Sequence, residues 1–290
     1  MSNIASIKKT KEIMEYFNLN TKKAFGQNFI IDSNIINNIV KKAGLDKDTN
    51  VIEIGPGIGA LSQFLARECH QLLCIEIDQR LEEVLKYSLS EFTNIKVIFD
   101  DFLKIDISKI VKEYFNDNRR LVVVANLPYY ITTPILIKLF ETSHETKISS
   151  IYAMMQKEVG LRLNAHINTK EYNSLSILTN YYTDTKIVMK IPKAIFIPQP
   201  QVDSVVVEFI FKNNEYQLLD KELFFNLIRL MFSQRRKTIL NNLNNIINDK
   251  EATIKILTDL KLNVQLRPEN LSIDNYIALS NYLKEHKYYD

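Results

Sequence analysis

Five times along this chain a short, mainly apolar run stops at a glycine, an acid or an amide and gives way to a helical pattern. The runs are residues 51–54, 72–75, 95–99, 121–125 and 151–155. The clearest, Leu121-Val122-Val123-Val124-Ala125, is unbroken and rich in β-branched residues. Such a run suits a strand buried on both faces, as in a parallel sheet. The segments between are helical: Asp32-Ser33 can cap a helix bearing Ile35, Ile36, Ile39 and Val40, which Gly44 ends. Two further strands, residues 186–191 and 202–211, have no helical pattern between them and are expected as an antiparallel pair at the sheet edge. The alternation predicts an α/β fold with a doubly wound, mostly parallel, seven-stranded sheet. Beyond residue 212 no strand pattern returns, and Phe224, Ile228 and Phe232 recur at helical spacing, as do Leu223, Leu227 and Met231. The expected division is therefore a sheet domain, residues 1–212, and a small all-helical domain, residues 213–290.

The 290 residues suffice for both domains, and 46% hydrophobic with 24% charged residues is ordinary globular composition. A net charge of +3 leaves nucleic-acid binding undecided unless basic residues cluster. Cys69 and Cys74 have no partner at metal-ligand spacing and read as buried thiols. His70, His144, His166 and His286 are scattered, so neither a metal nor histidine-based catalysis is expected. Without a signal-peptide core or a membrane-length apolar run, the chain reads as a soluble cytoplasmic protein with no membrane partner.

In open α/β sheets ligands bind beyond the carboxyl ends of the strands. There, Glu53-x-Gly55-x-Gly57-x-Gly59 lets backbone approach a ligand closely and directs a helix amino terminus at it. Gly55, Gly57 and Ala60 also satisfy G-x-G-x-x-A, with Glu76 at the distance of a ribose-binding acid, so a nicotinamide and an S-adenosylmethionine enzyme both fit this loop. The ends of successive strands favour S-adenosylmethionine. Glu76 can accept two ribose hydroxyls, Asp101 an adenine amino group, and Asn126 follows on the fourth strand. Asn126-Leu127-Pro128-Tyr129-Tyr130 sets an amide and a π face on a turn that proline stiffens, which suits a flat nitrogenous ring.

With these residues in view, the chain closely resembles the ribosomal RNA adenine dimethyltransferases acting on small-subunit RNA, the KsgA/RsmA family. The resemblance covers nearly the whole length. It rests on Phe25-Gly26-Gln27-Asn28-Phe29, Glu53-Ile54-Gly55-Pro56-Gly57, Glu76-Ile77-Asp78 and Asn126-Leu127-Pro128-Tyr129. Gln156-Lys157-Glu158-Val159, Phe196-x-Pro198-x-Pro200-x-Val202-Asp203-Ser204 and Phe232-x-x-Arg235-Arg236-Lys237 extend it. Ile30 stands where leucine is usual, and Asn173 where glycine commonly follows the tyrosine.

The resemblance implies a class I S-adenosylmethionine-dependent methyltransferase, monomeric and without a metal. The implied activity is dimethylation of N6 of two adjacent adenosines in the 3′-terminal hairpin loop of small-subunit (16S) ribosomal RNA, coupled to small-subunit biogenesis. It also implies a cofactor site at Asn28, Ile30, Gly55, Gly57, Glu76, Asp101 and Asn126, with Asn28 and the Ile30 backbone folding over the methionine end. For the chemistry, the Asn126 side-chain oxygen and the Leu127 carbonyl accept the two amino hydrogens. Pro128 holds the turn and Tyr129 stacks on a base drawn out of its RNA stack. The small Ala125 is compatible with a pocket that still admits an amine carrying one methyl. Lys22, Lys23, Arg235, Arg236 and Lys237 are candidate phosphate contacts, with the immature small subunit as partner. Two other readings stay open: a large-subunit RNA methyltransferase of the macrolide-resistance type, and a non-catalytic RNA-binding assembly factor.

Overall fold

A computed structural model describes residues 3–19, 27–213 and 216–288. Its strands are β1 (Phe29–Ile30), β2 (Thr49–Ile54), β3 (Leu72–Glu76), β4 (Ile95–Phe99), β5 (Arg120–Asn126), β6 (Ile148–Gln156), β7 (Thr183–Ile191), β8 (Phe196–Ile197) and β9 (Ser204–Phe211). Seven of them form one sheet in the order β4-β3-β2-β5-β6-β9-β7. From β4 to β6 every neighbour is parallel, and β9 runs antiparallel to β6. The chain leaves β2 for β3 on one side and later returns to β5 on the other, so order reverses between β2 and β5. That reversal opens a crevice at the strand carboxyl ends.

Local sequence explains the layers. All six residues of β2 are buried, and β5 is buried from Leu121 to Ala125, with exposure returning at Asn126. The Asp32 side chain accepts from the backbone N–H groups of Asn34 and Ile35 at the start of helix Ser33–Ala43, and Gly44 closes that helix at φ 57°. Ile36, Ile39, Val40 and Ala43 are its buried face. Register keeps the ligand end flush: Ile54 pairs with Ile75, Glu76 with Phe99, and Asn126 with Met154.

Three features depart from the sequence reading. A helix, Ile7–Tyr16, precedes β1, with the Ser6 side chain accepting from the Lys9 N–H. Residues 192–201, between the two expected edge strands, contain β8, which pairs antiparallel with β1 through Phe29↔Ile197 and Ile30↔Phe196. Both runs are only two residues long, too short to show a period. The third departure concerns the domains: the chain divides into two compact units, Met1–Gly160 with Lys186–Phe211, and Leu161–Thr185 with Lys212–Asp290. Helix Ser174–Tyr182 thus joins the C-terminal helices rather than the sheet unit. Its Tyr181 packs against Phe224 and Phe225 at ring distances of 5.5 and 5.3 Å. The second unit is otherwise built from helices Lys221–Ser233, Ile239–Ile247, Lys250–Asp259 and Ile273–Glu285 around buried Phe224, Leu227, Leu243, Leu257 and Tyr276.

Candidate active site

The crevice of the first unit is a cleft of about 930 Å³, its open mouth included, floored by the ends of β2, β3 and β5. After β2 the backbone passes through Gly55 at φ 72° and Gly57 at φ 59°, a left-handed region that L side chains avoid. A Cβ on Gly57 would stand 3.1 Å from the Phe29 ring. Helix Ser62–Glu68 begins several residues later and has only seven residues. The glycine loop meets the cleft together with Leu61, the N-cap of that helix.

Glu76 ends β3 and is 4% exposed. Its Oε2 accepts from the Gly57 N–H at 3.1 Å and its Oε1 from the Asp78 N–H at 2.9 Å. Burial lifts its pKa to about 7, against the opposing pull of those two N–H donors. Glu53, on β2 and buried, is likewise raised to about 7 by burial, with the Cys74 thiol 3.5 Å from its Oε2. Past β4, Asp101 Oδ1 accepts from the Leu103 N–H at 3.0 Å, so this acid both shapes its turn and lines the cleft. Lys138 braces the same turn by donating to the carbonyls of Phe102, Leu103 and Ile105. Burial lowers the Lys138 pKa, and nearby Asp101 and Asp106 oppose that shift.

At the end of β5 each residue of the corner is individually held. Asn126 Nδ2 donates to the Asn28 carbonyl at 3.1 Å. The Leu127 N–H donates to the Met154 carbonyl at 3.0 Å, and the Leu127 side chain is buried. The Pro128 carbonyl accepts from the Ile131 N–H at 3.2 Å and from Thr132 Oγ1 at 2.9 Å. The Tyr129 hydroxyl shares a 2.7 Å hydrogen bond with Ser204 Oγ. Burial raises the Tyr129 pKa, partly countered by that bond. Tyr130 is 52% exposed. Ala125, by contrast, is buried in β5 and does not line the cleft, so it does not set the room available to an acceptor.

The cleft therefore brings together Asn28, Ile30, Gly55, Gly57, Glu76, Asp101, Asn126, Leu127, Pro128 and Tyr129. Lys22 and Lys23 lie outside the described residues. Arg235, Arg236 and Lys237 belong to the second unit. Arg235 donates to the carbonyls of Lys170 at 2.8 Å and Thr169 at 3.3 Å, and its Nε is 3.5 Å from Glu269 Oε2. Arg236 and Lys237 are exposed. Sequence reasoning missed three supporting side chains. Gln27 Nε2 donates to Asp78 Oδ2 at 2.8 Å, Arg80 pairs with the same carboxylate, and Ser204 fixes Tyr129. Gln27, Asp78 and Ser204 all sit inside quoted motifs, but nothing local says that they meet.

The donor set fits S-adenosylmethionine. Two positive-φ glycines leave room for close approach, a buried carboxylate faces the cleft, and Asp101 and the amide corner line its other walls. Among the described residues no cluster of three or more histidines, cysteines and acids is arranged to hold a metal, and no helix is long and apolar enough to cross a membrane.

Comparisons with known proteins agree with this geometry. Residues 18–285 match the family described as ribosomal RNA adenine dimethylase. Proteins named ribosomal RNA small subunit methyltransferase A from Bacillus mycoides and Bacillus cereus are each 44% identical over 292 residues, 99% of this chain and 99% of theirs. Among solved structures, a dimethyladenosine transferase from Plasmodium falciparum aligns with a TM-score of 0.75 at 24% identity, over 89% of this chain and 98% of that one. The 23S rRNA methyltransferase ErmE aligns with a TM-score of 0.66 at 23% identity, over 89% and 100%. Those two likenesses speak to the fold. A full-length relationship at this identity, joined to a match with the family over residues 18–285, settles the kinship: the chain belongs to the ribosomal RNA adenine dimethylase family.

Proposed function

We propose that this enzyme transfers methyl groups from S-adenosylmethionine to N6 of two adjacent adenosines in the 3′-terminal hairpin loop of small-subunit ribosomal RNA, two to each. The observation that carries the reading is the amide corner in the same cleft as Glu76 and the glycine loop. When bound, S-adenosylmethionine supplies an activated methyl group on a sulfonium centre. Gly55 and Gly57 admit its close approach, Glu76 accepts ribose hydroxyls, Asp101 accepts from the adenine amino group, and Asn28 with Ile30 covers the methionine end.

The acceptor amine is a poor nucleophile because its lone pair is delocalised into the adenine ring. Asn126 Oδ1 and the Leu127 carbonyl accept hydrogen bonds from its two N–H groups, drawing the nitrogen toward a tetrahedral shape and aiming the lone pair. Each transfer leaves the nitrogen positively charged, and it then releases one proton to solvent. Tyr129, its hydroxyl tethered to Ser204, presents a ring face to the base, and such stacking is worth ~1–3 kcal/mol. Orientation of this kind is where the corner lowers the barrier. After one methylation a single N–H remains, so one acceptor oxygen suffices to orient the amine for the second.

RNA is held through the helical unit, where exposed Arg236 and Lys237 contact phosphate. Arg235 supports them by fastening residues 169–170, and Lys22 and Lys23 add further phosphate contacts. The enzyme works as a monomer in the cytoplasm on immature small subunits. The test is methylation of immature small subunits beside protein-free large-subunit RNA, read by mass spectrometry of the modified fragment. Two adjacent N6,N6-dimethyladenosines in the small-subunit fragment are expected. Transfer only to the large-subunit RNA would overturn the substrate, and RNA binding without methyl transfer would overturn the chemistry.

A further inference from the structure

A side-chain amide is two-faced. Its oxygen accepts, its nitrogen donates, and the two ends have nearly the same shape. Only one orientation of Asn126 serves an amine acceptor. With the oxygen toward the amine a hydrogen bond forms, whereas with the NH2 toward it two donors face each other. Pro128 and the strand before it fix the backbone here but not this flip.

What selects the flip is the Asn28 carbonyl, which accepts from Asn126 Nδ2 at 3.1 Å across 98 residues of chain. The carbonyl in turn has to be held in place. Beside it, Gln27 Nε2 donates to Asp78 Oδ2 at 2.8 Å. Asp78 is 3% exposed and also receives the Arg80 side chain, so the Gln27 bond is charge-assisted and sits in a rigid setting. The Asp78 N–H donates to Glu76 Oε1, and Glu76 Oε2 accepts from Gly57. Hydrogen bonds thus connect the glycine loop, Glu76, Asp78 and Gln27, and the Gln27-Asn28 backbone carries the connection on to the carbonyl that orients Asn126.

We propose that Gln27 is a positioning residue: by anchoring to Asp78 it holds the Asn28 carbonyl where it selects the reactive orientation of the Asn126 amide. The strap Gln27-Asn28 then links the wall that receives the methyl donor to the corner that receives the adenine. Gln27 acts through Asn126, so its loss lowers the transfer rate rather than removing a group from the reaction. The proposal rests on the reading of Asn126 as the acceptor residue.

The test uses the full chain with S-adenosylmethionine and immature small subunits, comparing Gln27→Ala, Gln27→Glu and Gln27→Glu combined with Asp78→Asn. Three quantities are read: the single-turnover rate at saturating donor, the affinity for S-adenosylhomocysteine, and the melting temperature. Gln27→Ala should slow transfer about three- to tenfold, the range that one net hydrogen bond supports. Donor affinity should change less than the rate. Gln27→Glu sets two carboxylates against each other and should be slower still. The double variant restores the bond with donor and acceptor exchanged, while the new carboxylate at position 27 takes up the Arg80 guanidinium that Asp78 Oδ2 had accepted, and should recover part of the lost rate. Unchanged turnover in Gln27→Ala, losses confined to donor affinity or melting temperature, or a double variant no faster than Gln27→Glu would each overturn the proposal. Asn126→Ala is run alongside. If it transfers methyl groups normally, the acceptor assignment itself fails, whereas normal dependence on Asn126 with no effect of Gln27→Ala removes only the positioning role.

Discussion

Glu76 allows the cleft to be tested without any RNA. The residue is 4% exposed, and burial raises its pKa to about 7 despite N–H donors from Asp78 and Gly57. Ribose hydroxyls donate to the ionised form, so nucleoside binding competes with a proton. For a pKa near 7, about one carboxyl in eleven is ionised one pH unit below and about ten in eleven one unit above. Affinity for S-adenosylhomocysteine should therefore rise about tenfold between about pH 6 and about pH 8, ~1.4 kcal/mol, and then level off. Titration calorimetry in two buffers of different ionisation enthalpy would show the affinity step and the proton released with it. Glu76→Gln should bind more weakly and show no step. Glu53 supplies the control: it is buried in the same cleft and raised to about 7 by burial, yet it has no assigned contact with the nucleoside. A flat wild-type curve would refute the reasoning, as would a step that survives in Glu76→Gln and vanishes in Glu53→Gln.

The same raised values act on stability, with a sign that can be worked out. Both carboxyls hold a proton in the native state over a range where the unfolded chain, near the usual 4.5, has released it. Their contribution is present at low pH and is lost as pH rises from about 4.5 through about 7, by up to ~3 kcal/mol for a carboxyl shifted this far. The denaturation midpoint of Glu53→Gln should accordingly gain on that of the wild type as pH rises across this window. A difference independent of pH would mean that Glu53 is ionised in the native protein.

Asn126→Ala should reduce methyl transfer far more than donor affinity, measured by single turnover and calorimetry, and a loss confined to binding would remove it from the acceptor side. Gly57→Ala places a side chain at φ 59° and a Cβ 3.1 Å from Phe29. The left-handed backbone alone costs ~1–2 kcal/mol, so denaturant unfolding should show at least that loss, together with weaker S-adenosylhomocysteine binding. An unchanged midpoint and affinity would show that the loop relaxes freely. Arg236→Ala with Lys237→Ala should weaken RNA binding and flatten its salt dependence by roughly one unit of slope per lost phosphate contact, leaving stability within ~0.5 kcal/mol. Arg235→Ala should instead destabilise the helical unit by ~1 kcal/mol, since carbonyls of Thr169 and Lys170 lose a charged donor. Equal salt slopes for wild type and the Arg236/Lys237 variant would exclude those two side chains from the interface.

Much of this protein is written locally. The unbroken run before Asn126 specifies a doubly buried strand, because a parallel sheet leaves no polar face. Gly55 and Gly57 announce positive φ, because other residues avoid it, and Glu76, Asp101 and Asn126 follow their strands at one end. The fold class and the strand-end residues Gly55, Gly57, Glu76, Asp101 and Asn126 were legible for that reason, whereas Asn28 and Ile30 entered only through the family resemblance. The contacts that orient those residues were not. Gln27 meets Asp78 over 51 residues, Tyr129 meets Ser204 over 75, and Asn126 meets the Asn28 carbonyl over 98. The two-residue pair β1 and β8 and the grouping of residues 161–185 with the C-terminal helices belong to the same class. So do the raised pKa values of Glu53 and Glu76, since burial is a property of the assembled interior. Periodicity and turn chemistry act over a few residues, and a sequence displays them directly. Which distant groups close a hydrogen bond, and which carboxylate loses its water, is decided only when the whole sheet has packed.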